Sequence, residues 1–194
     1  MLLITTEKVK KDLLEDGRLW NRMQKGERTA LSSLFHKYYP LLLNYGMKLL
    51  PDEDLAKDSI QELFLSLWEQ RKNLSDTKYV RSYLLSAYRR RVYKLANQQG
   101  NREKREKEYF EDSFTEMLNE EEVIIGAELR NEQKQIIKDA INQLGKRQKE
   151  AVYLKFFNGL TNDEISRVMG IHVQSVYNHI SRALQTLQES LKKL

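Results

Sequence analysis

Asp54, Asp58 and Glu62 recur at four-residue intervals within "DLAKDSIQELFLSLW", residues 54–68, so a helix sets them in one row. A row of carboxylates can hold magnesium, and magnesium supports phosphoryl transfer. Sites of that kind draw their carboxylates from more than one element, and no second acidic cluster stands in a suitable context. His172 and His179 are seven residues apart, about 10 Å along a helix axis, too far to share one ion without further ligands. The chain has no cysteine, which excludes thiolate metal sites and disulfides. It also lacks a glycine-rich phosphate loop and a nucleophile with an evident base. The expectation is a protein that is no enzyme and needs neither metal nor cofactor. The carboxylate row then faces solvent or a protein partner.

A second polar constellation sits in "TNDEISRVMGIHVQSVYNHISRAL", residues 161–184. Thr161 and Glu164 have the spacing of a capping box, with Ile165, Val168 and Met169 on the buried side of the short helix it starts. Gly170 breaks that helix and Ile171 plugs the corner. The next helix is expected to bury Val176, Ile180, Ala183, Leu184, Leu187 and Leu191. A short helix, a tight glycine turn and a longer amphipathic helix make a helix-turn-helix. Opposite its core lie Gln174, Asn178, Ser181, Arg182 and Gln185, flanked by Ser175, Tyr177 and His179. These donors and acceptors suit base edges and phosphates in a major groove. An outer helix of any bundle is also polar, but the glycine turn, the capping box and the basic surroundings favour DNA.

The elements that must position these residues are helical throughout. The chain has 194 residues, two prolines and eight glycines, enough for one or two small domains with their own cores. Gly26 punctuates a first helical stretch, and a long helix from Glu27 to Leu50 is expected to be kinked or interrupted at Pro40. After Pro51 and Asp52, apolar residues at Ala56, Ile60, Leu63, Phe64, Leu67 and Trp68 mark an amphipathic helix. The run "NLSDT", residues 73–77, is a loop. A helix from Lys78 to Asn97 then buries Val80, Leu84, Ala87, Tyr88 and Leu95. In "NREKREKEYFED", residues 101–112, nine of twelve residues are charged, which favours a mobile linker over a solvated helix extension. Helical periodicity returns from Val123 to Leu144, and another helix covers Arg147 to Phe157, ended by Asn158 and Gly159.

Charge is unevenly distributed about the net +5. Residues 71–110 carry 12 basic and 4 acidic groups, whereas residues 111–132 carry 1 basic and 8 acidic. Residues 145–194 carry 8 basic and 4 acidic groups. Two basic zones on either side of an acidic one offer two surfaces to a polyanion. The start "MLLITTEKVKK" has too short an apolar run for a signal peptide, and no segment reaches the length of a membrane span. No membrane insertion and a cytoplasmic location are expected, in keeping with the missing cysteines.

"DSIQELFLSLWEQR" followed by "VRSYLLSAYRRRVYKLAN" resembles the region 2 domain of bacterial sigma factors. "LGKRQKEAVYLKFFNGLTNDEISRVMGIHVQSVYNHISRALQTL" resembles their region 4 domain, and the size is similar to the extracytoplasmic-function (ECF) group of the sigma-70 family. The resemblance implies an all-α fold of two helical domains joined by a flexible charged linker. Residues 1–17 would be an amino-terminal tail, 18–100 region 2, 101–120 the linker and 121–194 region 4. It implies an alternative sigma factor that binds core RNA polymerase and directs promoter recognition, DNA opening and transcription initiation. Asp58, Gln61, Glu62 and Trp68 match the face that docks on the clamp helices of the beta-prime subunit. Asn73, Arg81, Arg89, Arg90, Arg91 and Lys94 match the part that opens and reads the downstream, minus-ten element. Thr161, Gln174, Ser175, Tyr177, Asn178, His179 and Arg182 fall in the reader of the upstream, minus-thirty-five element, whose domain also contacts the beta flap. An anti-sigma factor is a further implied partner. The rival is a stand-alone helix-turn-helix regulator, which leaves the carboxylate face and the basic helix at 81–94 without a role.

The sequence departs from the family pattern in places. Arg90 stands where asparagine is common and Lys94 where an acidic residue is common. His172 occupies a capping position that is usually serine or threonine, and Gly145 and Lys146 replace a proline-containing turn.

Overall fold

The structure, a computed structural model, describes residues 3–49, 52–98, 136 and 139–192. Every regular element among them is helical. They cluster into two compact units, one built from residues up to Met47 and from Asp52 to Gln98, the other holding the helices beyond Gln99. The charged stretch 101–120 lies outside the described residues. Of the helix expected from Val123 to Leu144, residues 136 and 139–142 are described and are helical.

In the first unit, α1 (Leu3–Gln24) is followed by α2 (Arg28–Leu49), α3 (Glu53–Glu69), a 3-10 turn (Arg71–Asn73) and α4 (Val80–Gln98). Residues 3–17, assigned above to a tail, are thus helical, and Asp16 is buried. Gly26 ends α1 in the left-handed region at φ 92°. Its N–H reaches the Met23 carbonyl and that of Glu27 the Arg22 carbonyl, closing the helix end with a Schellman pattern. Asp52 caps α3 by accepting from the Leu55 N–H at 2.9 Å, and Glu53 and Asp54 in the first turn suit the helix dipole.

The core of this unit follows the expected period. Ala30, Leu34, Tyr38, Leu42 and Tyr45 of α2 are buried, as are Ile60, Leu63, Phe64 and Leu67 of α3. Phe35 and Phe64 meet edge to face at 5.1 Å and join α2 to α3. Two details tighten the packing. A Cβ on Gly46 would stand 1.9 Å from the Tyr88 hydroxyl. That hydroxyl, buried, donates to the Ala56 carbonyl at 3.2 Å, and burial pushes its pKa well up. The Tyr38 hydroxyl donates to buried Asp16, whose other oxygen lies 2.7 Å from the Lys37 ammonium, so the buried carboxylate is paired.

Two expectations are corrected in this unit. Pro40 does not interrupt α2, which runs through it from Arg28 to Leu49. Pro40 and His36 are both exposed, so the carbonyl that loses its helical donor can be hydrated. Ala87 and Leu95 are half-buried and line a groove, while Ser82, Leu85 and Val92 take buried places.

In the second unit, α5 (Lys146–Val152) runs into one π-helical turn (Tyr153–Phe157), followed by α6 (Asn162–Met169) and α7 (Val173–Leu191). The Gln148 side chain accepts the Gly145 N–H at 2.7 Å, which stands in for the missing proline turn at the start of α5. The π turn closes by a bond from the Asn158 N–H to the Tyr153 carbonyl, and Gly159 then reverses the chain at φ 62°. Thr161 and Glu164 form the expected capping box, and Gly170 ends α6 at φ 64°. Ile165, Val168 and Met169 of α6 and Val176, Ile180 and Ala183 of α7 are buried together with Ala151, Leu154 and Leu160. Leu184 breaks the expected pattern. It is 45% exposed. Leu187 is half-buried.

Candidate functional site

The outer surface of α3 carries Asp58, Gln61 and Glu62, all exposed, opposite the buried row Ile60, Leu63 and Leu67. Leu65 continues the stripe and is 58% exposed, a large apolar side chain among charges that sequence reading had passed over. The signal was available: Leu65 follows Gln61 by one helical turn and falls off the core period. Trp68 lies at the edge of the stripe. The Arg71 guanidinium stacks 4.3 Å from its ring centroid and donates to the Trp68 carbonyl at 2.7 Å. Arg28 stands on the ring more distantly, at 6.0 Å.

Between α3 and α4 the unit opens a groove of about 520 Å³. Its floor is apolar, with Leu63, Leu67 and Leu95, and its rim carries Arg90, Arg91, Lys94 and Glu62. The structure therefore brings together residues that the family resemblance divides between two partners. Arg91 donates to Glu62 at 3.0 Å across the two helices. Arg90 donates to the Ser86 hydroxyl at 2.8 Å, one turn back on its own helix. Arg81 and Arg89 do not line the groove. Arg89 stacks 4.6 Å from the Tyr93 ring, and Arg81 is close enough to the buried Tyr38 hydroxyl to act on it electrostatically. Asn73 is exposed in the 3-10 turn.

Among the described residues no group of three or more His, Asp or Glu side chains is placed to hold a metal ion. Asp54, Asp58 and Glu62 lie on one exposed stripe, and Glu62 is engaged by Arg91. No helix among the described residues is long and apolar enough to cross a membrane.

The second unit presents α7. Gln174, Asn178 and Arg182 are exposed on one side, Tyr177 is 53% exposed, and Ser175 and His179 are half-buried beside them. The Gln174 amide donates to the Asn178 side-chain carbonyl at 3.3 Å, so the two amides are already aligned along one face. His172 stands at the helix start with extended backbone and makes no side-chain cap bond. The Thr161 hydroxyl is engaged in its cap, accepting from the Glu164 N–H and donating to the Glu164 carboxylate. The His179 pKa is lowered by burial first, then by Arg147 and Arg182. This identifies Arg147, at the start of α5, as a cation beside the α7 face that the sequence had not assigned.

Comparison with known proteins places both units. The family described as sigma-70 region 2 matches residues 34–102, and that described as sigma-70, region 4 matches residues 134–187. The RNA polymerase sigma-H factor of Pseudomonas aeruginosa is 26% identical over 189 residues, covering 93% of this chain and 95% of its own. The ECF RNA polymerase sigma-E factor of Escherichia coli is 26% identical over 191 residues, covering 93% and 96%. Among solved structures, CnrH in complex with the cytosolic domain of CnrY matches with a TM-score of 0.59 at 17% identity, over 92% of this chain and 98% of that one. The sigma factor RpoE in complex with the anti-sigma factor NepR, from Bartonella quintana, matches with a TM-score of 0.54 at 20% identity, over 83% and 96%. At these identities the two structures bear on the fold.

Proposed function

This chain belongs to the sigma-70 family, in its extracytoplasmic-function group, and from that premise we propose how its surfaces divide the work of initiating transcription. A sigma factor of this family binds core RNA polymerase and promoter DNA and directs initiation; it is not a stand-alone regulator. The chain catalyses nothing itself and acts in the cytoplasm through binding alone. Residues 18–100 form the region 2 domain, to which the first part of α1 adds buried Asp16, and 121–194 form the region 4 domain, with 101–120 as the linker.

The α3 stripe is the docking face for the beta-prime clamp helices. Asp58, Gln61 and Glu62 supply its charge and hydrogen bonds, and Leu65 and Trp68 its apolar anchors. The loop of residues 73–77, opened by Asn73, faces the downstream element together with Arg81, Arg89 and the groove cations Arg90, Arg91 and Lys94. Their guanidinium and ammonium groups neutralise phosphates and stack on unpaired bases once the duplex opens. On α7, Gln174 and Asn178 read base edges, and Ser175, Tyr177 and His179 flank them. Arg182 holds an adjacent phosphate, and Thr161, whose hydroxyl and N–H are both taken up by Glu164, serves by fixing the start of α6. This domain also meets the beta flap. The Bartonella quintana relative in fold was solved with an anti-sigma factor, and we include such a factor among the partners of this chain.

The observation that carries this reading is the α3–α4 surface, where an exposed acidic stripe runs beside a groove rimmed by Arg90, Arg91 and Lys94. A face for a protein and a face for a polyanion thus share one pair of helices. The test is reconstituted transcription with core polymerase. Wild-type protein should produce promoter-specific transcripts. Asp58→Lys combined with Glu62→Lys should abolish core binding, a loss of about 2–5 kcal/mol, with helicity unchanged. Full core binding by that double variant would remove the docking assignment.

A further inference from the structure

The segment between the 3-10 turn and α4, residues 74–79, has no regular structure and contains all but the first residue of loop 73–77, which the proposed function sets against the downstream element. Two of its backbone carbonyls are held from α1. The Gln24 amide donates to the Leu74 carbonyl at 2.5 Å, and the Trp20 indole N–H donates to the Ser75 carbonyl at 3.1 Å. These contacts span 50 and 55 residues of sequence. Trp20 is fully buried, so its N–H must find an acceptor inside the fold, and the loop supplies it. The same indole meets Tyr83 of α4 edge to face at 5.0 Å. One side chain of α1 therefore grips the loop and also the helix that follows it. Within the segment itself, the Thr77 hydroxyl accepts the Tyr79 N–H at 3.0 Å, a local turn that does not reach Leu74 or Ser75.

We infer that Trp20 and Gln24 are positioning residues for promoter opening: they clip loop 74–79 to α1 so that it meets the separated strand already shaped. The inference rests on the assignment of that loop to the downstream element. It gives α1 a part in DNA opening although none of its side chains is assigned a DNA contact. A loop shaped before DNA arrives loses less conformational freedom when it binds, and that favours the opened state specifically.

Two near-isosteric variants test this in the full chain. Trp20→Phe keeps a ring and removes the N–H, and Gln24→Met keeps the length and removes the amide. In the free protein, each should speed hydrogen exchange at residues 74–79 while α3 stays protected. In holoenzyme, each should bind core polymerase as wild type does and open a duplex promoter about tenfold more slowly, the scale of one lost hydrogen bond. On a promoter already melted across the downstream element, most of that loss should disappear. Gln24 is half-buried, so its variant remains informative should Trp20→Phe fold poorly. Unchanged loop exchange, or unchanged opening of the duplex promoter, in Gln24→Met would overturn the inference. So would equal losses on duplex and premelted templates, which would mark a general structural role. A wild-type chain that opens no promoter would instead remove the functional assignment, and the exchange experiment on free protein would still report on the clip.

Discussion

The two units build their candidate surfaces in different ways. In the first, local ties such as Arg90 to Ser86 are joined by ties to groups distant in sequence: Arg91 to Glu62 on another helix, and Trp20 and Gln24 to the loop after α3. On the α6–α7 face of the second, the described side-chain hydrogen bonds are local, although Arg147 of α5 acts on His179. Thr161 pairs with Glu164, and Gln174 with Asn178 one turn along the same helix. A surface of the first kind exists only when several helices have packed. A surface of the second kind needs one motif and the few apolar residues that seat it. The difference also shapes the tasks assigned to them. The DNA opening proposed for the first draws on a groove and a held loop, and tertiary packing supplies both. Reading a duplex major groove asks only for one exposed helix face.

The sharpest way to break the comparison is to damage packing in the first unit alone. Gly46→Ala places a methyl group within van der Waals overlap of the Tyr88 ring and hydroxyl. The expected cost is about 3 kcal/mol. Amide protection in α2, α3 and α4 of the full chain should fall, while protection in α6 and α7 is kept. Loss of protection in both units together would show that they fold as one cooperative body.

A smaller effect is expected on the upstream reader. Gln174→Ala or Asn178→Ala should each weaken the best upstream element by about 1–3 kcal/mol and relax preference at one position. Arg182→Ala should instead lower affinity nearly equally on all sequences and reduce the salt slope by about one unit. Binding by holoenzyme to single-base variants of the element, at two salt concentrations, separates these outcomes. Retention of full sequence preference by both amide variants would take base reading away from this face.

The smallest effect concerns His179. Burial, Arg147 and Arg182 disfavour its charged form in the folded protein, so its folded pKa lies below the ordinary 6.5. The unfolded chain therefore takes up a proton as pH falls through 6.5 while the folded chain resists it. Stability is unaffected above that range and declines below it. The denaturation midpoint of the full chain should drop between about pH 7.5 and about pH 5.5, and His179→Gln should show a smaller drop. An identical pH response in that variant would assign the titration to another group.

What could be read without coordinates follows the range of the interactions. The capping box at Thr161, the turn at Gly170 and the burial of Ile165, Val168, Val176 and Ile180 were all legible, because each depends on spacings of one to four residues that helix geometry dictates. The same holds for the apolar row of α3 and the exposed stripe of Asp58, Gln61 and Glu62. Local pattern misled at Leu184, which is exposed, and at Pro40 it could not tell a kink from an interruption, whereas the helix runs on through it.

Tertiary structure alone decided which side chains meet across the first unit. The Glu62–Arg91 pair is separated by 29 residues, and no periodicity relates an acid on one helix to a base on another. The same is true of the buried Asp16–Tyr38 contact and of the hold that Trp20 and Gln24 keep on residues 74 and 75. Sequence determined the helices and the faces they would bury, because hydrophobic period and capping act along the chain. It did not determine the partners of those faces, because the choice among many apolar surfaces is made by packing.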